Sequence, residues 1–406
     1  MTLVSQLFYI PTMIHAGVGQ SAEPSTEKAV EQAFAGAFAR AGVSRADWAV
    51  VFFTAEHLRD RERLSSALRR AAGTDRVVGC SAAGVLTGAA EVEGSHGLAA
   101  LVVAADRLQA DPFLFKPLRG RDAEVAGQIA KMAKPDPAKK LLTVLLPDTY
   151  NGQPQQLLQT VQSHIGYFPV VGAGSSESGI AGAIFQLCRD KIATNAVAGL
   201  HLSGPFQPLI DITQGCQPIT APLVITKADG NLIHEIDHRP AFEVFASVLK
   251  GPLLEDLRRA LMYVFVGLPA DRERNRVGPG EYLVRNIIGL DSSKGIIAVA
   301  EEVRQGQSMI FTLRDGQRAR DDLAQMLRRQ AQRLNGKKPA FGLYFNCCAR
   351  GASLYGIPGI DSAYICQTLG DFPLIGMFGG YELAPLGGAN HLFAYTGVLA
   401  LISEEE

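Results

Sequence analysis

The fold is set by the segment LLTVLLPDTYNGQPQQLLQTVQSHIGYFPVVGAGSSESG, residues 141–179. An apolar run opens it, a helical stretch ending at Gly166 follows, and a second apolar run stops at glycine. A strand, helix and strand of this length predict two parallel strands joined by a right-handed crossover. Nearly continuous apolar strands are typical of sheets that are covered on both faces. The segment therefore predicts a βαβ unit of an α/β fold.

The same pattern occurs three times along the chain. The other copies contain these strand pairs: WAVVFFTAEH (48–57) with RVVGCSAAGV (76–85), and AFGLYFNCCA (340–349) with FPLIGMFGGYEL (372–383). In every copy a glycine precedes the glycine of the second strand by six residues: Gly73 and Gly79, Gly166 and Gly172, and Gly370 and Gly376. A further apolar strand closes each copy, and we expect it to pair antiparallel. The sequence thus predicts mixed sheets built from repeated βαββ units.

The length of 406 residues and a hydrophobic content of 47% predict more than one domain, each with a buried core. We place the first domain at residues 1–238 and the second at 239–406. Between them, Asp229-Gly230 predicts a hairpin turn, and Pro240 predicts the first turn of a helix.

The composition excludes several classes of function. The formal net charge is −1, which gives no electrostatic basis for binding nucleic acid or an anionic membrane surface. The N-terminal segment MTLVSQLFYIPTMIHAG lacks a basic region, and Pro11 interrupts its apolar run, so we expect no signal peptide. No run is long and apolar enough to insert into a membrane, and six cysteines without short-loop spacing fit a reducing compartment. We therefore expect a cytoplasmic protein.

One metal motif fails on its structural context. HEIDH, residues 234–238, has the letters of a zinc protease site, which needs both histidines on one helical face. Here Asp229-Gly230 opens a turn and an extended segment follows. On a strand, His234 and His238 would lie about 13 Å apart and could not share a zinc ion.

The candidate ligand-binding residues follow the strands of the three copies. They are Cys80, Ser81, Ser175, Ser176, Glu177, Cys347, Arg350, Tyr381 and Glu382. In sheets with parallel crossovers, ligands bind outside the carboxyl ends of the strands. Arg350 could bind a ligand carboxylate with two hydrogen bonds, or it could be a structural partner of Glu382. The neighbouring glycines fit either a pocket or tight turns and close packing.

The adjacent thiols of Cys347 and Cys348 stand at the end of a predicted strand. Because neighbours on a strand point to opposite faces, we expect one thiol in the core and the other at a loop or cleft. The two would then not bind one metal ion.

An ordered set of motifs is similar to the FIST family (F-box and intracellular signal transduction). It comprises VVGCSAAGVL, FPVVGAGSSESG, IHEIDHRPAFEVF, LVRNIIGLD, FNCCARG and FPLIGMFGGYELAP, and the resemblance spans residues 13–400. It implies a FIST N-terminal and a FIST C-terminal domain, and a sensory protein that binds small ligands such as amino acids. The given sequence leaves no room for an output domain. The resemblance therefore implies signalling in trans, to a separately encoded histidine kinase or a cyclase or phosphodiesterase.

Three functions are consistent with this resemblance and these residues. The first is a non-enzymatic sensor that binds a small zwitterion in a cleft between the two regions, for which Glu177, Arg350 and Glu382 carry suitable charges. The second, raised by the family, is a haem-binding nitric-oxide sensor, with His234 or His238 as the iron ligand. The third is a thiol enzyme acting through Cys80 or Cys347, for which no neighbouring base is evident.

Overall fold

The structure is a computed structural model that describes residues 13–405 apart from 134, 137, 138, 180 and 279. Residues 1–12 lie outside the described residues, so the prediction that no signal peptide is present is not tested there. In the described part of the chain, no helix has both the length and the apolar character needed to cross a membrane.

Three repeats and one inserted unit make up the fold. The first repeat consists of β1 (Ile14–Ser21), α1 (Thr26–Ala41), β2 (Trp48–Thr54), α2 (Arg61–Ala71), β3 (Val77–Ala82), β4 (Gly84–Thr87), β5 (Glu91–Glu93) and β6 (Leu98–Ala105). The second consists of β7 (Gln109–Phe115), α3 (Asp122–Ala133), β8 (Lys140–Pro147), α4 (Pro154–Ile165), β9 (Val170–Ala173), β10 (Gln186–Cys188), β11 (Lys191–Ala193) and β12 (Val197–Gly204).

The third repeat begins with β13 (Phe206–Gln214) and is then interrupted by the inserted unit. This unit consists of β14 (Cys216–Pro218), β15 (Leu223–Asp229), β16 (Leu232–Ile236), β17 (Arg239–Pro240), α5 (Ala241–Val248), α6 (Pro252–Glu255), α7 (Leu257–Tyr263), β18 (Val264–Pro269), β19 (Tyr282–Arg285), β20 (Ile287–Asp291), β21 (Ile296–Val299) and β22 (Ser308–Arg314). The third repeat resumes with α8 (Gly316–Leu334), β23 (Phe341–Cys347), α9 (Gly351–Tyr355), α10 (Ile360–Leu369), β24 (Leu374–Gly379), β25 (Glu382–Leu386), β26 (Ala389–Phe393) and β27 (Thr396–Glu404).

The strand pairing confirms the predicted fold class. In the three repeats the strands joined by a helical crossover are parallel: β2 with β3, β8 with β9, and β23 with β24. The returning strand pairs antiparallel with the first strand of each pair: β6 with β2, β12 with β8, and β27 with β23. The fold is therefore α/β with mixed sheets built from repeated βαββ units, as the sequence predicts.

A cyclic exchange of hairpins links the three repeats, and the sequence did not predict it. The sheet of the first repeat has the strand order β1-β6-β2-β3 and is extended by the hairpin β10-β11 of the second repeat. The second sheet, β7-β12-β8-β9, is extended by β25-β26 of the third repeat. The third sheet, β13-β27-β23-β24, is extended by β4-β5 of the first repeat. The sheet of each repeat is thus completed by a hairpin from the next repeat.

The repeated glycine of the second crossover strand has a steric cause. A Cβ atom added to Gly79 would lie 1.8 Å from the Val51 carbonyl oxygen. At Gly172 the added atom would lie 1.9 Å from the Leu145 carbonyl oxygen, and at Gly376 it would lie 2.4 Å from the Tyr344 carbonyl oxygen. These separations are far inside van der Waals contact, so each repeat needs glycine where this strand approaches its parallel partner.

The inner faces of the three sheets form one common core. Trp48 packs edge-on against Phe341 with ring centroids 5.6 Å apart, and Phe52 packs against Phe345 at 6.3 Å. Val144 of β8 belongs to the same core. The outer faces are covered by helix pairs: α1 and α2 on the first sheet, α3 and α4 on the second, and α8 and α10 on the third. The crossover strands are therefore buried on both faces, which explains their continuous apolar sequences.

The inserted unit has its own sheet, in the order β19-β18-β22-β15-β16-β21-β20, with β14 beside β22 and β17 beside β16. Ile225, Phe245 and Phe311 are fully buried in its core. The predicted turn at Asp229-Gly230 joins β15 to β16, and Pro240 precedes α5. The division of the chain at residues 238 and 239 falls between β16 and β17, inside this unit, and stays a prediction.

Candidate functional site

The serine hydroxyls at the strand ends join the repeats to one another. Ser81 Oγ donates to the Ser176 carbonyl oxygen at 3.0 Å and accepts from the Phe185 N–H at 2.9 Å. Ser176 Oγ donates to the Phe378 carbonyl oxygen and accepts from the Ala83 N–H at 2.9 Å. The structure thus brings Ser81 and Ser176 together, in hydrogen bonds within the protein.

The thiol of Cys80 lies in the common core. Its Sγ is 3.5 Å from Sδ of Met377, its counterpart in the third repeat, and it is fully buried. Burial raises the pKa of Cys80 to about 12, against a smaller opposing effect of a hydrogen bond with Ser175. A hydrogen bond to Cys348, together with burial, also raises the pKa of Cys347. Because the thiolate is the reactive form, these pKa values disfavour nucleophilic chemistry at Cys80 and Cys347 at neutral pH.

Arg350 pairs with Asp361 and not with Glu382, which corrects the structural partner considered from the sequence. Arg350 Nε donates to Asp361 Oδ2 at 3.2 Å, and Nη2 donates to Oδ1 at 3.1 Å. Both side chains are fully buried. The sequence missed Asp361 because an acidic residue in the first turn of a helix is ordinarily explained by the helix dipole.

Three further donors hold Asp361 in place. Tyr355 Oη donates to Oδ1 at 2.8 Å, while Tyr344 Oη and Asn346 Nδ2 donate to Oδ2 at 3.0 and 2.8 Å. The Asp361 carboxylate therefore accepts five hydrogen bonds in the core of the third repeat, which offset the cost of burying the charge.

Glu382 is buried beside this network. Its Oε2 accepts from the backbone N–H of Thr396 at 3.2 Å and from Thr396 Oγ1 at 2.7 Å. Burial, with a smaller contribution from Cys347, raises its pKa well above the usual range of a glutamate. Among the described residues, Glu382 Oε1, Arg350 Nη1 and Asn346 Oδ1 have no protein partner. These atoms could hydrogen-bond a small polar group, and the ligand role of Arg350 and Glu382 stays a prediction.

Of the remaining predicted residues, Tyr381 and Cys347 are buried and Glu177 is half-buried. Tyr381 is buried with its ring against Gly174, where a Cβ would lie 2.5 Å from Cε1. Tyr150 Oη donates to Glu177 Oε1 at 3.4 Å. Cys347 is buried and Cys348 is exposed, as expected from their places on the strand. Desolvation, Glu177 and Cys348 all raise the pKa of Tyr150, so Glu177 and Cys348 both lie near it.

A cleft of about 1140 Å³ lies between the inserted unit and the second and third repeats. On the repeat side it is lined by Gln153, Gln155, Gln156 and Gln159 of α4 and its N-cap, and by Asn390 and His391 of β26. On the other side it is lined by Arg272, Arg285, Glu301 and Glu302 of the inserted unit. The sequence did not reveal this cleft. The available signal was Arg285, which interrupts the apolar run YLVRNII.

Two arginines converge on one carboxylate in the wall of this cleft. Glu301 accepts from Arg285 Nε through one oxygen and from Arg272 Nη2 at 2.6 Å through the other. Although burial raises the pKa of Glu301, Arg285 and Arg272 outweigh it and lower the pKa below its ordinary value. The side chain of Arg272 is 58% exposed, so most of its guanidinium faces the cleft or solvent. This group of three side chains carries one net positive charge.

Polar contacts connect the cleft wall to the strand ends. Arg285 Nη2 donates to the Leu392 carbonyl oxygen at 3.3 Å, and Tyr395 Oη donates to Asn286 Oδ1 at 3.1 Å. Tyr395 precedes Thr396, the residue that hydrogen-bonds Glu382.

On the cleft side, His391 Nε2 must donate to the Leu386 carbonyl oxygen at 3.1 Å, because a carbonyl only accepts. Burial lowers the pKa of His391, so the neutral ring keeps Nδ1 as an acceptor.

The two histidines proposed as haem ligands do not form a haem site. His234 lies half-buried on strand β16, and His238 is exposed in the following turn with φ of 62°. Neither lines the cleft. The HEIDH segment is a strand and turn, as predicted, and the described residues contain no group of three or more potential metal ligands. The residues present therefore do not fit an axial histidine in an apolar pocket.

Comparison with known proteins gives consistent results along nearly the whole chain. An uncharacterized protein of Mycobacterium tuberculosis is 29% identical over 387 residues, which cover 95% of this chain and 98% of the relative. An uncharacterized protein of Mycobacterium bovis is 30% identical over 392 residues, covering 96% of this chain and 99% of the relative. The crystal structure of a cyanuric acid hydrolase from A. caulinodans has a TM-score of 0.27 and 11% identity, over 46% of this chain and 70% of that one. A similarity this weak supports no inference about function.

Family assignment agrees with the motifs found in the sequence. Residues 47–239 match the FIST N domain, and residues 241–385 match the FIST C domain. These domains are signal-transduction sensor domains. The chain therefore belongs to the FIST family.

Proposed function

We propose that this protein is a cytoplasmic sensor that binds a small amino-acid-like ligand in the cleft between the repeats and the inserted unit. The observation that carries the proposal is the pair of arginines sharing Glu301 in the wall of a cleft of about 1140 Å³. A cleft near the upper end of the size range of ligand pockets, with a few convergent charged groups, is typical of small-molecule sites.

The charges of the cleft suit a zwitterion. A ligand carboxylate would be bound by the exposed guanidinium of Arg272 and would balance the net positive charge of the group formed with Arg285 and Glu301. A ligand ammonium would be bound by the exposed carboxylate of Glu302 and by side-chain oxygens of the α4 glutamines. The arrangement favours a ligand with both groups over a simple anion.

The position of the cleft gives a physical route from binding to signalling. A ligand that contacts both sides of the cleft binds more tightly when the inserted unit lies close to the repeats, and it therefore stabilises that arrangement. Only a ligand with different affinities for the two arrangements can transmit a signal. The Arg285–Leu392 and Tyr395–Asn286 hydrogen bonds would respond, because they join the two sides. We propose that a separately encoded histidine kinase, or a cyclase or phosphodiesterase, reads this change, and that the chain itself is not an enzyme.

A ligand screen with matched variants tests the proposal. Thermal unfolding of the full chain with each amino acid should reveal a stabilising ligand, and calorimetry should give its affinity. Arg272→Gln should weaken binding about 10- to 100-fold, which corresponds to the loss of a charge-assisted hydrogen bond of about 1.5–3 kcal/mol. Arg69→Gln is the matched control, because Arg69 of α2 is an exposed arginine that pairs with Asp190 of the β10-β11 hairpin and does not line the cleft.

Two further outcomes distinguish the alternatives. If Arg272→Gln and Glu302→Gln both left the affinity unchanged while Glu177→Gln abolished binding, the ligand site would be at the strand ends and the cleft proposal would be wrong. Adding haemin to the same protein tests the haem alternative, since a sharp Soret band that shifts with nitric oxide would favour a gas sensor.

A further inference from the structure

The adjacent cysteines after β23 combine one buried and one exposed thiol. Cys347 is 4% exposed, and Cys348 is exposed. The Arg350 N–H donates to the Cys347 carbonyl oxygen at 2.8 Å and closes a tight turn, while the Cys348 N–H donates to the Gly379 carbonyl oxygen at 2.8 Å. In this turn the two adjacent residues place one thiol in the core and the other toward solvent.

The surroundings make Cys348 the more acidic of the pair. Its hydrogen bond with Cys347 lowers the pKa of Cys348, and Arg314 adds to this effect against the opposing effects of burial and Glu382. Arg314 is fixed beside the turn, because its Nε and Nη2 donate to the Ala349 carbonyl oxygen at 3.2 and 2.6 Å. The same hydrogen bond and burial raise the pKa of Cys347. The pKa of one thiol is therefore lowered while that of its neighbour is raised.

The other cysteines do not share these properties. All six cysteines lie within the described residues, and Cys348 alone among them is exposed. Burial raises the pKa of Cys80 to about 12, that of Cys188 to about 11, and those of Cys216 and Cys366 above the ordinary value. An exposed, acidic thiol beside a second thiol is the arrangement found in thiol redox sensors.

We propose that Cys347 and Cys348 form a redox site at which a hydroperoxide converts the two thiols into a vicinal disulfide. The Cys348 thiolate attacks one peroxide oxygen, the O–O bond breaks, and the leaving alkoxide takes a proton to give an alcohol, or water from hydrogen peroxide. Cys348 is then a sulfenic acid. Oxidation of Cys348 removes the neighbouring thiolate charge, which is one cause of the raised pKa of Cys347. The Cys347 sulfur then attacks the Cys348 sulfur, the S–O bond breaks, and hydroxide leaves with the Cys347 proton as water. The two sulfurs together lose two electrons, and the hydroperoxide gains them.

Closing this bond must change the turn. Adjacent Cα atoms lie about 3.8 Å apart across a trans peptide, whereas disulfides usually span about 4.4–6.8 Å. The ring is therefore strained, which makes the bond easy to reduce and suits a reversible site. The backbone change falls on the Cys348–Gly379 hydrogen bond and on the turn that carries Arg350. Oxidation would thus act on the strand ends next to Glu382, at residues that do not line the ligand cleft.

Peptide mass spectrometry of the reduced full chain tests this inference. The chain is treated with about one equivalent of hydrogen peroxide, alkylated, digested and analysed for the peptide that contains residues 347 and 348. We expect this peptide to lose two hydrogens and to resist alkylation until a dithiol reductant is added. Cys348 should react faster than Cys366, because the lowered pKa of Cys348 increases its thiolate fraction and the raised pKa of Cys366 decreases that of Cys366.

Three variants make the result specific. In Cys347→Ser the sulfenic acid at Cys348 should persist and be trapped by dimedone, whereas Cys348→Ser should leave Cys347 reduced. Cys366→Ser is the matched control and should behave like the unaltered chain. The inference is overturned if Cys348 reacts no faster than Cys366, or if oxidation yields only chains linked through Cys348 while Cys347 remains free to alkylate after unfolding. Circular dichroism of each variant checks that the fold is intact.

Discussion

Arg350 and Asp361 form an ion pair at 3.1 Å in which neither side chain is accessible to water. Removing one partner leaves a buried charge without compensation, which typically costs about 3–5 kcal/mol. Asp361→Asn and Arg350→Met should each lower the free energy of unfolding by about that amount, measured by urea denaturation.

The double variant Arg350→Met with Asp361→Asn serves as the control for this prediction, because it removes both charges together. We expect it to be more stable than the sum of the single losses predicts. Additive losses would show that the two side chains act independently and would contradict the paired role.

The repeated glycines should tolerate no side chain. At Gly79 a Cβ would lie 1.8 Å from the Val51 carbonyl oxygen, and backbone on both strands would have to move. Gly79→Ala should therefore destabilise the protein severely, by several kcal/mol, or prevent soluble expression. Gly36→Ala is the matched control, since its Cβ would lie at an ordinary 3.5 Å from Gly19 Cα within α1. It should be neutral or stabilise the protein by up to about 1 kcal/mol. Equal effects of the two substitutions on the urea midpoint would refute the steric explanation.

Two buried histidines should make the fold sensitive to acid. Burial lowers the pKa of His57 and that of His201 to about 4 from an ordinary 6.5. At pH values between about 4 and about 6.5, both histidines are protonated in the unfolded chain but remain neutral in the folded chain. The free energy of unfolding should therefore fall as the pH is lowered from about 6.5 toward about 4.

The contribution of His201 to this effect can be isolated. Its Nε2 must donate to the Ile129 carbonyl oxygen at 3.2 Å, and its Nδ1 accepts from Thr143 Oγ1 at 2.8 Å, so the neutral ring is fully hydrogen-bonded. His201→Gln should reduce the pH dependence of stability in this window, measured by urea denaturation at a series of pH values. An unchanged slope would mean that His201 does not titrate differently on unfolding.

Glu91 of the first repeat holds the start of α10 in the third repeat. Its two oxygens accept from the N–H groups of Gly359 and Ser362, each at 2.8 Å. Glu91→Ala should lower the free energy of unfolding by about 1–3 kcal/mol, because two N–H groups at a helix start lose their acceptor. Thermal or urea denaturation measures the change. Glu31→Ala on the exposed face of α1 should change stability by less than about 0.5 kcal/mol, and a similar loss there would argue against a specific cap.

The sequence predicted the repeated unit because its causes are local. The glycine of the second crossover strand, the apolar strands and the helix between them all lie within about 40 residues of one another. The hairpins β4-β5, β10-β11 and β25-β26 are different, because their strands have only three to five residues and pair with strands of another repeat. Nothing in so short a strand specifies which sheet it joins.

The same limit applies to the site residues. Arg350 and Glu382 are both buried polar side chains at strand ends, and their chemistry suggested that they would meet. In the structure Arg350 instead pairs with Asp361, while Glu382 accepts a hydrogen bond from Thr396 of β27. The cleft joins Gln155, Arg272 and His391, which are more than 100 residues apart in sequence, so no local pattern could indicate it.

The exchange of hairpins makes the three repeats a closed ring, because each sheet needs strands from the next repeat. The ends of the ring also meet, since the Ile14 N–H donates to Glu404 Oε1 at 2.7 Å. No repeat is structurally the first. A circularly permuted gene that joins residue 404 to residue 14 by a short linker, and opens the chain between β6 and β7, should therefore encode the same fold. One repeat expressed alone would have an unfilled sheet edge and a hairpin without a sheet.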